Sequence, residues 1–159
     1  MLFRSNADKY AFLSCVGALS DLFANMGDRM EPYSQTLLSI LCDTLSNPTV
    51  RREIKPPVLT LFGDICLAIS DRFHKFLSVV HNILRQATEM AMQDLPRMDE
   101  EDVDYFNQLN LGIIQAYTGI VMGLSTDASG QFLASEQPTL MKFMRAVAID
   151  KSRQVQIGR

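Results

Sequence analysis

The stretch Phe62-Gly63-Asp64-Ile65-Cys66-Leu67-Ala68-Ile69-Ser70-Asp71-Arg72 decides the architecture, because its pattern occurs twice. Slid back by 43 residues, Asp64 falls on Asp21, Ile69 on Met26 and Asp71-Arg72 on Asp28-Arg29. The agreement continues downstream, where Ile83-Leu84 falls on Ile40-Leu41. A turn between two helices and the apolar stripes on both sides of it therefore recur as one unit. A second match, at an interval of 55 residues, sets Ile120, Leu124 and Ser125 on Ile65, Ile69 and Ser70. The longer interval is accounted for by an acidic connection between residues 94 and 104.

Working outward, apolar residues keep the helical period nearly throughout. A first helix is expected over about residues 7–26, through Phe12, Leu13, Val16, Leu19, Leu22, Phe23 and Met26. A second starts near Pro32, a residue suited to a first turn because its missing N–H has no partner there, and ends before Asn47-Pro48. Pro56-Pro57 implies a broken entry to a third helix, which then runs to Ile69. The fourth covers about 73–92 through Phe73, Phe76, Leu77, Val80, Ile83, Leu84, Ala87 and Ala91. The fifth covers about 102–124 through Phe106, Leu109, Ile113, Tyr117, Ile120 and Leu124. Ser125 to Gly130 reads as a loop. A last helix is expected over about 136–149, with Pro138 in its first turn and Leu140, Met141, Met144 and Val147 inward.

No segment alternates with a period of two, so the fold class is all-α. The interval of 43 residues between equivalent turns is that of HEAT or armadillo repeats. The expected architecture is a HEAT-repeat α-solenoid of about three helix pairs, near residues 7–45, 48–92 and 102–149. One pair cannot bury its apolar face alone, so stacked pairs share a continuous core. The middle pair's first helix, apolar at Val58, Leu59, Leu61, Phe62, Ile65, Leu67 and Ile69, suits packing on two sides. Neither end of the chain carries a polar cap, which reads as a segment of a longer array.

Composition narrows the function. Hydrophobic residues at 47% and charged residues at 21% describe a folded domain rather than a disordered chain. The apolar runs are too short to cross a bilayer, and Met1 to Ser5 lacks the apolar block of a signal peptide, so an intracellular protein without membrane insertion is expected. Cys15, Cys42 and Cys66 lie among apolar residues and read as buried free thiols. The net charge of −3 conceals six acids between Asp94 and Asp104, against a single Arg97. No helix face collects Lys and Arg, so a nucleic-acid partner is not expected. His74 and His81, seven residues apart, stand too far apart along a helix for one metal and read as surface residues. No nucleophile–base pairing, phosphate loop or HExxH motif occurs, so neither an enzyme nor a cofactor is expected.

Ile54-Lys55-Pro56-Pro57-Val58-Leu59-Thr60-Leu61-Phe62-Gly63-Asp64-Ile65, followed by Leu67-Ala68-Ile69, closely resembles a repeat in the carboxy-terminal half of the importin-β (karyopherin-β) family. The similarity continues at Phe76-Leu77, Val79-Val80, Val103-Asp104-Tyr105 and Ala116-Tyr117-Thr118-Gly119-Ile120-Val121, and fades after Leu124. The resemblance implies a nuclear transport receptor working between cytoplasm and nucleus. Such receptors hold an importin-α adaptor or a basic cargo segment, touch Phe-Gly nucleoporins, and release cargo when a GTP-bound Ran-type GTPase binds, mainly through other repeats. The alternative is a HEAT scaffold of a phosphatase or chromatin-type complex.

Two candidate partner sites follow. Asp99, Glu100, Glu101, Asp102 and Asp104, on the acidic connection, suit a Lys/Arg-rich segment, which long-range attraction would steer. Leu59, Leu67 and Tyr117 are expected to wall a Phe-Gly groove between the third and fifth helices. The recurring Asp64 is expected to accept hydrogen bonds at a turn or between repeats. Met26, Met122, Met141 and Met144 fall on or beside core stripes and are expected to pack inward.

Overall fold

The recurring turn is where each helix pair folds back. In the computed structural model, which describes residues 6–94 and 102–157, it takes the form of a single 3₁₀ turn, over Gly27–Met30 and again over Ser70–Phe73. The first turn joins α1 (Asn6–Met26) to α2 (Glu31–Ser46), and the second joins α3 (Lys55–Ile69) to α4 (His74–Asp94). A third pair consists of α5 (Val103–Gly123) and α6 (Thr126–Ile157). Among the described residues there is no strand, and the three helix pairs stack as a HEAT-type solenoid.

Two rows result. The first helices α1, α3 and α5 lie side by side with α3 in the centre, and α2, α4 and α6 form the second row. The central helix is buried on most sides: Val58, Leu59, Leu61, Phe62, Ile65, Cys66 and Ile69 are all 2% exposed or less. Pro56 and Pro57 do not break it. They occupy its first turn, and the chain enters through a 3₁₀ turn at Arg52–Ile54.

What α3 meets on its two sides differs. Toward α5 the backbones touch. A Cβ built on Gly119 would lie 2.5 Å from the Gly63 Cα, one on Gly112 2.6 Å from the Pro56 carbonyl oxygen, and one on Gly123 2.5 Å from the Cys66 carbonyl oxygen. Gly112, Gly119 and Gly123 share one face of α5, and only hydrogen fits there. Toward α1 no glycine is pressed in this way; a Cβ on Gly17 would meet nothing within 4 Å.

Polar side chains tie one repeat to the next. Ser20 donates to Asp64, so the recurring aspartate bridges α1 and α3 as its repetition suggests. Asp71 accepts from the Ser125 backbone N–H at 2.7 Å, and Arg72 reaches back to Glu31 at 3.3 Å and Asp28 at 3.7 Å.

The sixth helix departs most from expectation. Ser125 is the only residue of the expected loop left outside the helix, which begins at Thr126, where Asp127 suits the first turn. Pro138 therefore sits inside α6 rather than in its first turn. The inward stripe is Phe132, Glu136 and Phe143, all buried, with Leu140 and Val147 half-buried beside it. Met141 and Met144 face outward at 46% and 58% exposure, and Met26 and Met122 are exposed too. Cys66 alone of the three thiols is fully buried, and burial pushes it up to about 12. Cys42 is half-buried and Cys15 is exposed, contrary to the expectation for both.

Two stability experiments follow. Gly119→Ala forces a methyl into rigid backbone and should cost about 3 kcal/mol in urea unfolding, whereas Gly17→Ala should gain about 0.5–1 kcal/mol. Equal effects would refute the close crossing. Ser70 holds φ +51° and ψ −132° at the position where the preceding repeat has Gly27 at φ +56°. Ser70→Gly should therefore stabilise the chain by about 1 kcal/mol in the same assay, and a loss of stability would contradict the strain.

Candidate interaction surfaces

Because α3 and α5 meet backbone to backbone, the expected groove between them is closed. Leu59 is 1% exposed and faces a small cavity of about 90 Å³ with Leu45, Ile83, Ala87 and Leu109. Tyr117 is 4% exposed and donates its hydroxyl to Glu136 of α6 at 2.9 Å. Only Leu67, at 45%, is open to solvent. The three expected walls therefore occupy three different surroundings. Leu59 and Tyr117 belong to the packing between repeats.

Leu67 instead borders a cleft on the other side of α3. Phe23, Ala24 and Gly27 line it from the first repeat, and Asp64, Leu67 and Ala68 from α3, enclosing about 190 Å³. Asp64 is anchored there by Ser20. Leu22 and Met26 of α1 stand 43% and 40% exposed, adding apolar surface along the first-helix row. A cavity of about 150 Å³ lined by apolar side chains suffices to hold a benzene ring. The spacing of Gly112, Gly119 and Gly123 on α5 is the sequence signal, unused above, that marks the α3–α5 side as closed.

The acidic connection divides into two parts. Asp99, Glu100 and Glu101 lie outside the described residues. Asp102 is already engaged, with its carboxylate 2.5 Å from the Arg52 guanidinium, which in turn lies 4.9 Å over the Tyr105 ring. Asp104 is exposed and lines a broad concavity of about 560 Å³ at the start of the first-helix row, together with Lys9, Tyr10, Arg52 and Glu53. Glu53 is held below the usual carboxylate range, first by a backbone N–H and then by the charges of Lys9, Arg51 and Arg52.

His74 is exposed, as expected. His81 is not a free surface residue: its ring is 26% exposed and pairs with the buried Glu136. Among the described residues no group of His, Cys, Asp and Glu is arranged to hold a metal ion. No helix among them is long and apolar enough to cross a membrane.

Comparison with known proteins places this architecture. A family model described as importin subunit beta-1-like, TPR repeats, matches residues 3–159, so the kinship extends through the last helix, beyond the Leu124 at which the motif similarity fades. The 43-residue interval here is that of the longer HEAT-type pair rather than a TPR pair. Importin subunit beta-1 of Arabidopsis thaliana is 32% identical over 136 residues, which cover 86% of this chain and 16% of that protein. A yeast importin-β (Kap95p) structure solved with RanGDP superposes with a TM-score of 0.73 at 27% identity, covering 88% of this chain and 16% of that one. A Kap95–Nup1 complex gives 0.71 at 28%, covering 86% and 15%. The chain thus spans about one-sixth of the length of these relatives. It belongs to the importin subunit beta-1-like family.

Proposed function

We propose that this chain is a segment of a nuclear transport receptor, acting by binding rather than by chemistry, and that its α1–α3 cleft receives the phenyl ring of a Phe-Gly nucleoporin segment. The observation that carries the proposal is the cleft itself: of ring size, bordered by the exposed Leu67 and lined by Phe23, Ala24 and Ala68 beside the Asp64 carboxylate. The Kap95–Nup1 complex supports a partner of this kind for the family. Burying one phenyl ring contributes about 2 kcal/mol before ordering costs. Such contacts exchange quickly, as passage through a pore requires.

The receptor would also hold an importin-α adaptor or a basic cargo segment, with Asp99, Glu100, Glu101 and Asp104 drawing it in electrostatically. Asp102 has a structural task beside Arg52 and takes no part in this. Release by a Ran-type GTPase, in keeping with the Kap95p–RanGDP structure, is proposed for the whole receptor rather than for this length of it.

The test is a titration of the isotope-labelled chain. With a Phe-Gly peptide, shifts should fall on Leu22 to Gly27 and Asp64 to Ala68, and Leu67→Asp should remove them. Shifts centred on Leu59 and Tyr117, or none at millimolar peptide, would refute the cleft. With a Lys/Arg-rich peptide, neutralising Asp99, Glu100, Glu101 and Asp104 should slow association at low salt, and added salt should mimic the change. Unchanged association rates would remove the acidic connection from the binding surface.

A further inference from the structure

Between the end of α2 and the second half of α4 a small cavity opens to solvent. Leu59 and Leu109, both buried, form its floor, and the half-buried Leu45, Ile83 and Ala87 form its walls. Met90 and Gln86, both exposed, stand at its rim. Lys55 lines it too, and among the described residues it is the one charged side chain that does. The cavity measures about 90 Å³, against the ~150 Å³ that receives a benzene ring, so an aliphatic side chain fits where a phenyl does not.

We propose that this cavity is a docking seat for an acidic peptide segment, which places one aliphatic side chain inside and pairs the carboxylate of a neighbouring Asp or Glu with Lys55. The charge of the site carries the choice of partner. Lys55 is the first residue of α3, where the positive end of the helix dipole disfavours a cation, and no acid in that first turn offsets it. The two nearby arginines are already paired, Arg51 with Glu53 at 3.6 Å and Arg52 with Asp102 at 2.5 Å. Lys55 forms no ion pair among the described residues. Its charge thus works against the helix that carries it. The side chain is half-buried, and salt screens a partly buried pair less than one on open surface.

Size and sign both separate this seat from the α1–α3 cleft, which encloses about 190 Å³ and carries the Asp64 carboxylate. A basic segment is repelled by Lys55, so the partner is opposite in charge to a basic cargo segment. The flexible thioether of Met90 adapts to the shape of the side chain beneath it. One aliphatic side chain and one partly shielded ion pair make a weak contact, suited to a segment held at several points.

Titrating the isotope-labelled full chain with an end-blocked peptide of alternating Asp and Leu tests this. Methyl shifts should fall on Leu45, Ile83, Ala87 and Met90. Exchanging the peptide's Asp for Asn, or making Lys55→Met, should each weaken binding about five-fold at low salt, and both together no further than either alone. Lys55→Met also removes a cation from the start of α3, so in urea unfolding it should be no less stable than the unaltered chain. A loss of stability would assign Lys55 to the fold and overturn the proposal. So would an absence of methyl shifts at millimolar peptide, an undiminished affinity in Lys55→Met, or equal binding of an Asn-Leu or an Asp-Phe peptide. A rise in affinity on neutralising Asp99, Glu100 and Glu101 would make the chain's own acidic connection the occupant, and would overturn an outside partner.

Discussion

The backbone of α5 rests on the backbone of α3, and the positions of the other helices follow from that contact. At Gly63 and Gly119 the two helices approach within the reach of a single methyl group. Side chains that would otherwise hold two helices apart are missing along a whole face, so the hydrophobic surface on either side closes tightly over Phe62, Ile65, Ile113, Ala116 and Ile120, all fully buried. The same closeness leaves no room for a ligand. On the opposite side of α3, where α1 is held off by ordinary side chains, a ring-sized cleft remains. The asymmetry of one helix's two neighbours thus separates structural contact from open surface.

The repeat interval read in the sequence returns as the spacing of contacts. Ser20 meets Asp64 and Glu31 meets Arg72, one short interval apart. Thr60 meets Gln115, Cys66 meets the Ile120 carbonyl, Asp71 meets Ser125 and His81 meets Glu136, one long interval apart. In a stacked array a residue's neighbour is its own counterpart in the next unit, give or take one or two positions. Polar side chains at these places fix how far one pair slides on the next, which apolar stripes alone leave loosely defined.

Much of this is legible in the sequence. The stripes of α4 and α5 gave their buried faces nearly residue for residue, and the paired Asp-Arg turns located the hairpins. The sixth helix was misread for a physical reason. Glu136 interrupts its apolar stripe, so the pattern was picked up too late and phased onto Met141 and Met144 instead of Phe132 and Phe143. The same acid concealed the role of His81, because a histidine's partner 55 residues away carries no local signal. The expected groove between α3 and α5 does not exist because Gly112, Gly119 and Gly123 bring the two helices together. Small residues seven and four apart on one helix face mark a close crossing, and a close crossing excludes a groove.

If the α3–α5 crossing organises the array, those two helices should open only together. Native-state hydrogen exchange in low denaturant measures this directly. The slowest amides should lie between Val58 and Ile69 and between Ile113 and Ile120, merging into one opening reaction at the highest free energy in the chain, with α1, α2 and the end of α6 exchanging through smaller openings. Amides of α5 that exchange through a lower opening while those of α3 stay protected would contradict the claim that this crossing holds the stack together.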